Sequence, residues 1–392
     1  MAGVTLQQIL QQGYAAFEQC HLLPAYVRKA AWALMVCRTA VLGGHIQACP
    51  EGHVERVWYN SCKHRLCPQC AWVQVERWLV KQKARLLACE HYHVIFTMPD
   101  ELRGLWLANV RAMTNLLCAT VHATLAELLG DAKYLGACPG MTAALHTWSQ
   151  TLVLHPHLHG LVTGGGLTEA GQWRPVRNGC LLPVRVVMAL FRGKLLAAID
   201  TAIRAGQLSL PASLTLRQWE TLRNKVGRRK WNVHIRERYR HGEGVLTYLA
   251  RSIRGGPLAN GRLRSCANGE VRFWYRIHGE GSADARRGLI TLSLEECLRR
   301  SLRHVPEPGT RVVRSYGLYA PTARAAWASC REQLGQGPVE VPERLDWQTA
   351  CQDRGDDHPE RCPVCGRRLV AISVITPSSR PPPAGLPGEA VA

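Results

Sequence analysis

Apolar positions recur at intervals of three and four through residues 1–45, which predicts amphipathic helix interrupted at Pro24. The same period returns from 72 to about 89, through 101–130, over 185–205 and in "VLTYLARSI" at 245–253. Elsewhere it shortens to two: "HYHVIFTMP" at 91–99 and "VRFWYRI" at 271–277 read as strands. The stretch "MTAALHTWSQTLVLHPHLHGLVTGGGL" reads as two strands with a short connection, and Gly164, Gly165 and Gly166 are expected to make the turn out of the second. Without a following Lys-Ser/Thr and a helix, those glycines are not a phosphate loop. Residues 46–71 are rich in cysteine and turn formers, and residues 371–392, Pro-rich with few large apolar side chains, are expected to be disordered. Helices and strands in this mixture give an α+β class, and no period indicates a repeat architecture.

Charge narrows the partners. Lys and Arg number 49 against 29 Asp and Glu, a formal net charge of +20. An excess of that size points to a polyanion, nucleic acid ahead of an anionic membrane. The opening "MAGVTLQQILQQGY" has neither a basic leader nor a long apolar run, and "AAWALMVCRTAVLGG" is too short and is broken by Arg38. A soluble, cytoplasmic protein without a membrane partner is therefore expected. Sixteen cysteines in such a chain, several tightly clustered, favour reduced thiols and metal binding over disulfides.

The first cluster reads "ACPEGHVERVWYNSCKHRLCPQC". Cys67 and Cys70 form a Cys-x-x-Cys knuckle, with Cys49, His53 and Cys62 upstream. Four of these five can surround a tetrahedral Zn²⁺, which would stabilise a loop too short and polar to have a core. A redox Cys-x-x-Cys would expect a strand-to-helix context with few neighbouring ligands. In "CQDRGDDHPERCPVCG", Cys362 and Cys365 form another knuckle, with Cys351 and His358 as candidate partners for a second zinc.

"LVLHPHLHG" places His157 and His159 either side of Leu158, so both imidazoles project from one strand face. Strand histidines often only hydrogen-bond in the interior, but such a pair can supply two ligands of a divalent cation. His146 and Gln150 on the preceding strand are alternative third ligands. His155, set apart by Pro156, is a further candidate or serves the turn.

"YNSCKHRLCPQC", "LHTWSQTLVLHPHLHGLVTGGGL", "VLTYLARSI" followed by "LANGRL", and "RVVRSYGLYA" together resemble the rolling-circle HUH-class tyrosine transposases of insertion sequences, in their insertion-sequence-common-region branch. The resemblance runs in order over roughly residues 40–330. It implies an antiparallel-sheet HUH nuclease domain with flanking helices at 89–330, preceded by a helical and zinc-binding domain at 1–88; the second zinc knuckle at 345–370 is expected from its own cysteines and lies outside the resemblance. The resemblance further implies that His157 and His159 hold a catalytic Mg²⁺ or Mn²⁺ while Zn²⁺ is structural. Tyr248 matches the nucleophile that forms a 5′-phosphotyrosine. Many relatives carry a second tyrosine four residues on, where this chain has Ser252, so a single-tyrosine enzyme is expected. Glu51 stands where a Cys-x-x-Cys-Gly pattern would be nearer the family norm, and His53 is the expected substitute ligand.

The implied activity is nicking and rejoining of single-stranded DNA at the ends of a mobile element. Arg223, Lys225, Arg228, Arg229 and Lys230, with Trp231 interleaved, are expected to track phosphates and stack on an unpaired base. Expected partners are the element ends and target DNA, a second copy of the chain and host replication factors, in a bacterial cytoplasm at the nucleoid. The rival readings are a plasmid-type rolling-circle replication initiator and a non-catalytic zinc-finger DNA-binding remnant, for which Tyr248 and the metal would be dispensable.

Overall fold

The computed structural model describes residues 3–239, 242–253, 255–277, 286–339, 346–352 and 358–378, and within these the side chains at 237, 238, 248, 251–253, 349 and 350 are not described. The chain opens with α1 (Leu6–Cys20) and α2 (Ala25–Met35), separated at Pro24 as its rigid ring dictates. Thr5 and Gln8 form a capping box that fixes the start of α1. A hairpin follows, β1 (Gly44–Ala48) and β2 (Glu55–Tyr59), then α3 (Trp72–Ala84) and β3 (His91–Thr97). The helix expected through 101–130 is divided at Asn109 into α4 (Arg103–Ala108) and α5 (Val110–Gly130).

Next come β4 (Cys138–Trp148), β5 (Leu154–Leu167), β6 (Trp173–Pro175), α6 (Val184–Arg204) and α7 (Leu216–Gly227). The chain continues as β7 (Asn232–Tyr239), α8 (Glu243–Ile253), β8 (Leu263–Ala267), β9 (Glu270–Ile277), β10 (Arg286–Ser293) and α9 (Leu294–Leu302). It ends in β11 (Val313–Gly317), α10 (Arg324–Gln333), α11 (Trp347–Gln352) and β12 (Val370–Ile375).

The central sheet has six strands, antiparallel throughout, in the order β11-β4-β5-β3-β7 with β6 on β5. Strand alternation gives its faces different roles. Val94 and Phe96 of β3, Leu158 and Val162 of β5 and Met141, Ala143 and Leu145 of β4 share one face, which packs on α4, α5 and α6 in the largest core. The opposite face carries His157, His159 and His146, with Ala144 and Leu161, and is covered by α3 and α8 through Val75, Leu79, Leu246 and Leu249. Among the described residues, α5 is the one helix long and apolar enough to cross a membrane. It lies in the core, with Met113, Leu117 and Val121 fully buried.

The glycines of "TGGGL" lie inside β5, not in a turn; the reversal comes after Leu167. Neighbouring backbone and rings leave no room for a side chain there. A Cβ at Gly164 would sit 2.8 Å from the Glu90 carbonyl oxygen and one at Gly166 2.6 Å from that of Cys138, while at Gly165 it would meet the Trp173 ring at 2.4 Å. A second core joins α1 and α2 to β8–β10 and α9, where Ile9, Leu10 and Ala31 meet Val271, Phe273 and Leu298. The N-terminal helices thus share a core with residues far beyond 88. The tail expected to be disordered from 371 is strand as far as Ile375, because β12 pairs antiparallel with β1 from Gly44↔Ile375 to Ala48↔Val370; residues 379–392 lie outside the described set.

Candidate functional site

The histidine centre is set by register. In the β4–β5 pairing His146 lies opposite His157, and Ala144 opposite His159. One donor atom from each of His146, His157 and His159 falls within 4.8 Å of the others. His146 therefore accompanies the pair. Gln150 is in the connecting turn, where its backbone carbonyl accepts from Arg262. His155 points elsewhere, its Nδ1 3.7 Å from Asp100 Oδ1.

Each ring's orientation has a cause. His157 Nδ1–H donates to the His155 carbonyl at 2.6 Å, which leaves Nε2 as the lone-pair nitrogen. His159 Nδ1 lies 2.8 Å from Nε2 of His93, a buried β3 residue on the same face. Trp148 stacks on His146 with ring centroids 5.3 Å apart. Burial pushes the His157 imidazolium down to about 4 and holds His146 well below the usual histidine range. Burial, then the neighbouring imidazoles, depress His159 further in the same direction. All three rings are neutral at neutral pH, the form that donates a lone pair to a metal. His93 carries no motif and could have been found only from the register.

Tyr248 lies on α8, and its side chain, like that of Ser252, falls outside the described residues. Its helix is seated on the histidine face by Val245, Leu246, Leu249 and Ala250, and Lys83 of α3 reaches Glu243 at 3.1 Å. Beyond the β4–β5 turn opens a cavity of about 580 Å³ whose lining includes Trp106, Trp148, Arg65, Arg299 and Arg303.

The cysteines divide differently from the expectation. Cys62, Cys67 and Cys70 converge with Cys37, at the end of α2, and not with Cys49 or His53. Cys37 Sγ is 3.5 Å from Cys67 Sγ, and Cys62 Sγ is 3.6 Å from Cys70 Sγ. Tetrahedral thiolates with Zn–S near 2.3 Å stand about 3.8 Å apart, against about 2.05 Å in a disulfide. Cys37 escaped the sequence reading because it lies 25 residues before Cys62, in an apolar helical context that looks like core. Cys49 and His53 meet Cys362 and Cys365 instead. Neither Cys351 nor His358 joins them: Cys351 is on α11, and His358 Nδ1 accepts from the Glu360 backbone N–H at 3.1 Å, closing a local turn.

The basic strip lies at the surface for the most part, apart from its aromatic. Lys225, Arg228, Arg229 and Lys230 are exposed, while Arg223 pairs with Asp200 at 3.0 Å and Arg229 with Glu101. Trp231 is buried against Phe191, and its Nε1–H donates to the Val226 carbonyl at 2.9 Å, so it cannot stack on a base. Arg229 and Lys230 line a groove of about 450 Å³ with His155 and Asn232, at the end of the sheet that bears His157.

Two transposase family models match regions of the chain. Residues 9–98 match a family model described as "Transposase zinc-binding domain", and residues 140–326 match one described as "Putative transposase". The chain is 33% identical to "Putative transposase y4qJ" of Sinorhizobium fredii, over 97% of this chain and 98% of that protein. It is 29% identical to "Transposase for insertion sequence element IS801" of Pseudomonas savastanoi pv. phaseolicola, over 88% of this chain and 82% of that one.

Proposed function

The chain belongs to the IS91-type transposase family that includes the IS801 transposase, a family of zinc-binding proteins acting on DNA, and on that footing we propose that it nicks and rejoins single-stranded DNA through a covalent bond to Tyr248. The substrate is the end of a mobile element, and the outcome is rolling-circle-type transposition. The observation that carries this reading is the convergence of His146, His157 and His159 on the sheet face beneath α8.

Three neutral imidazoles converging on one point fit a divalent cation. His146, His157 and His159 would hold Mg²⁺ or Mn²⁺, which would supply Lewis acidity toward the scissile phosphate. The chain does the remainder. His155 and His93 orient the His157 and His159 rings so that their lone pairs converge. The Tyr248 oxygen forms a bond to phosphorus as the bond from phosphorus to the 3′ oxygen breaks. The phenol proton passes to solvent and the departing 3′ oxygen takes one up. The product is a 5′-phosphotyrosine and a free 3′-hydroxyl, and because one phosphoester replaces another, the strand is rejoined without ATP. With Ser252 in place of a second tyrosine, one chain holds one DNA end, so handling two ends calls for a second copy.

The zinc domain also serves the reaction helix. Cys67 and Cys70 lead directly into α3, whose Val75 and Leu79 pack against Leu246 and Leu249 of α8. The exposed lysines and arginines before β7 attract the DNA backbone. The Trp148 cavity with its arginines suits an unpaired base.

The test is incubation of the full chain with single-stranded DNA carrying an element end and Mn²⁺, followed by a denaturing gel. A protein–DNA adduct is expected in the wild type and absent in Tyr248→Phe and His157→Ala. An adduct that persists in Tyr248→Phe overturns the nucleophile.

A further inference from the structure

Cys49 and His53 occupy the β1–β2 turn, and Cys362 and Cys365 occupy the knuckle before β12. The two loops meet because β12 pairs with β1. Cys49 Sγ lies 3.6 Å from His53 Nδ1 and 3.5 Å from Cys365 Sγ, which is 316 positions away in sequence. All four donor atoms are within 4.8 Å of one another. Around Zn²⁺, with Zn–S near 2.3 Å and Zn–N near 2.0 Å, tetrahedral edges are about 3.8 Å between sulfurs and about 3.5 Å from sulfur to nitrogen. The separations observed are close to those edges, and they are far longer than a disulfide bond.

We propose that Cys49, His53, Cys362 and Cys365 form a second zinc site, built half from the β1–β2 hairpin and half from the distal knuckle, which clasps the two ends of the folded chain together. Cys362 and Cys365 lie beyond both regions matched to transposase families. The knuckle has the form a metal loop needs: the Gly366 N–H donates to the Cys362 carbonyl and the Cys362 N–H to that of Arg367, both at 2.8 Å, with Gly366 at φ +71°.

Packing alone does not account for the junction. Its buried cluster is Cys49, Cys362 and Leu369 with Val54 beside them, so half of it consists of proposed ligands. Val370, Ile372 and Val374 of β12 are largely exposed. Glu51 also bridges the loops by pairing with Arg367 at 2.6 Å, an exposed pair that contributes little by itself. A tetrahedral metal holds two such thin layers together without a core.

The test uses the full chain purified with a reductant and no chelator. Elemental analysis should find two zinc ions per chain, one for each cysteine cluster. Cys365→Ser, at an exposed ligand, should lower this to one, and so should Cys67→Ser in the other cluster. His53→Cys should keep both and move the visible bands of the cobalt-substituted protein toward an all-thiolate site. Two zinc ions retained in a folded Cys365→Ser, as judged by circular dichroism, overturn the proposal. So does a single zinc in the wild type with a Cys49–Cys365 disulfide by mass spectrometry.

Discussion

Nε2 of His93 and Nδ1 of His159 are 2.8 Å apart, joining β3 to β5 across the face that carries His146, His157 and His159. A cation held at Nε2 of His159 would leave its Nδ1–H to donate to His93. Such a partner fixes the tautomer and aim of a ligand without touching the metal. His93→Ala is expected to raise the Mn²⁺ concentration needed for half-maximal adduct formation by about 10- to 100-fold. His93→Gln, which keeps an acceptor, should recover much of the loss, whereas a purely structural defect would lower thermal stability in both variants and leave the Mn²⁺ requirement unchanged.

Trp231 and the lysines beside it should separate cleanly. Replacing Lys225, Arg228 and Lys230 by alanine removes exposed charge, so single-stranded DNA affinity should fall and the slope of log K against log salt should flatten by about 0.7 for every phosphate no longer neutralised. Trp231→Ala instead empties a buried site beside Phe191 and should cost about 3–5 kcal/mol of stability, read by denaturant unfolding, while the salt slope stays as it was.

Cys37→Ser tests the redrawn first cluster. Cys37 is fully buried and touches Cys67, whereas Cys49 belongs to another group. The serine variant should lose about one zinc ion per chain and melt earlier. Through α3 it should also loosen α8 and reduce adduct yield, measured at a temperature where the variant is still folded.

Two buried histidines outside the three-histidine centre add to the acid sensitivity of the fold. Burial pushes His91 and His304 down to about 4 from the ordinary 6.5. His91 bonds to the Cys89 carbonyl at 2.9 Å and the Tyr319 hydroxyl at 2.7 Å; His304 Nε2–H donates to the Leu152 carbonyl at 3.0 Å. Between pH 6.5 and 4 the unfolded chain binds protons that the folded chain refuses, so stability falls as pH drops through that window. Each group contributes up to about 3 kcal/mol to that loss. Urea unfolding at about pH 7 and about pH 4.5 should show the decline, smaller in His91→Gln.

Much of the site was legible because it is local. His157 and His159 share a strand face by period two, and α8 follows from an apolar period of nearly four, so both could be read from a few residues. What escaped depended on register or distance. His146 and Gln150 were equal candidates until the β4–β5 pairing set His146 opposite His157. Cys49 and His53 sit within thirteen residues of Cys62 in sequence, yet the hairpin turns them toward Cys362, which local spacing does not encode. Trp231 among five cations reads as a stacking residue, but an aromatic next to an amphipathic helix also suits a core, and burial prevailed. The Gly164–Gly166 run looked like a turn because glycine serves both turns and close approach, and only the neighbouring strands tell which.

The pairing of β1 with β12 also orders events in time. When β1 and β2 leave the ribosome, the strand that completes their sheet is more than three hundred residues from being made. At about 5–20 residues per second, that interval is roughly fifteen seconds to a minute. Throughout it the edge of β1 that β12 will take has no partner strand, and Cys49 and His53 are without Cys362 and Cys365. A chain broken off before residue 362 would carry the six-stranded sheet with its three histidines but an open amino-terminal ribbon. Among the described sheets, the amino-terminal ribbon is thereby the last whose strands are all synthesised.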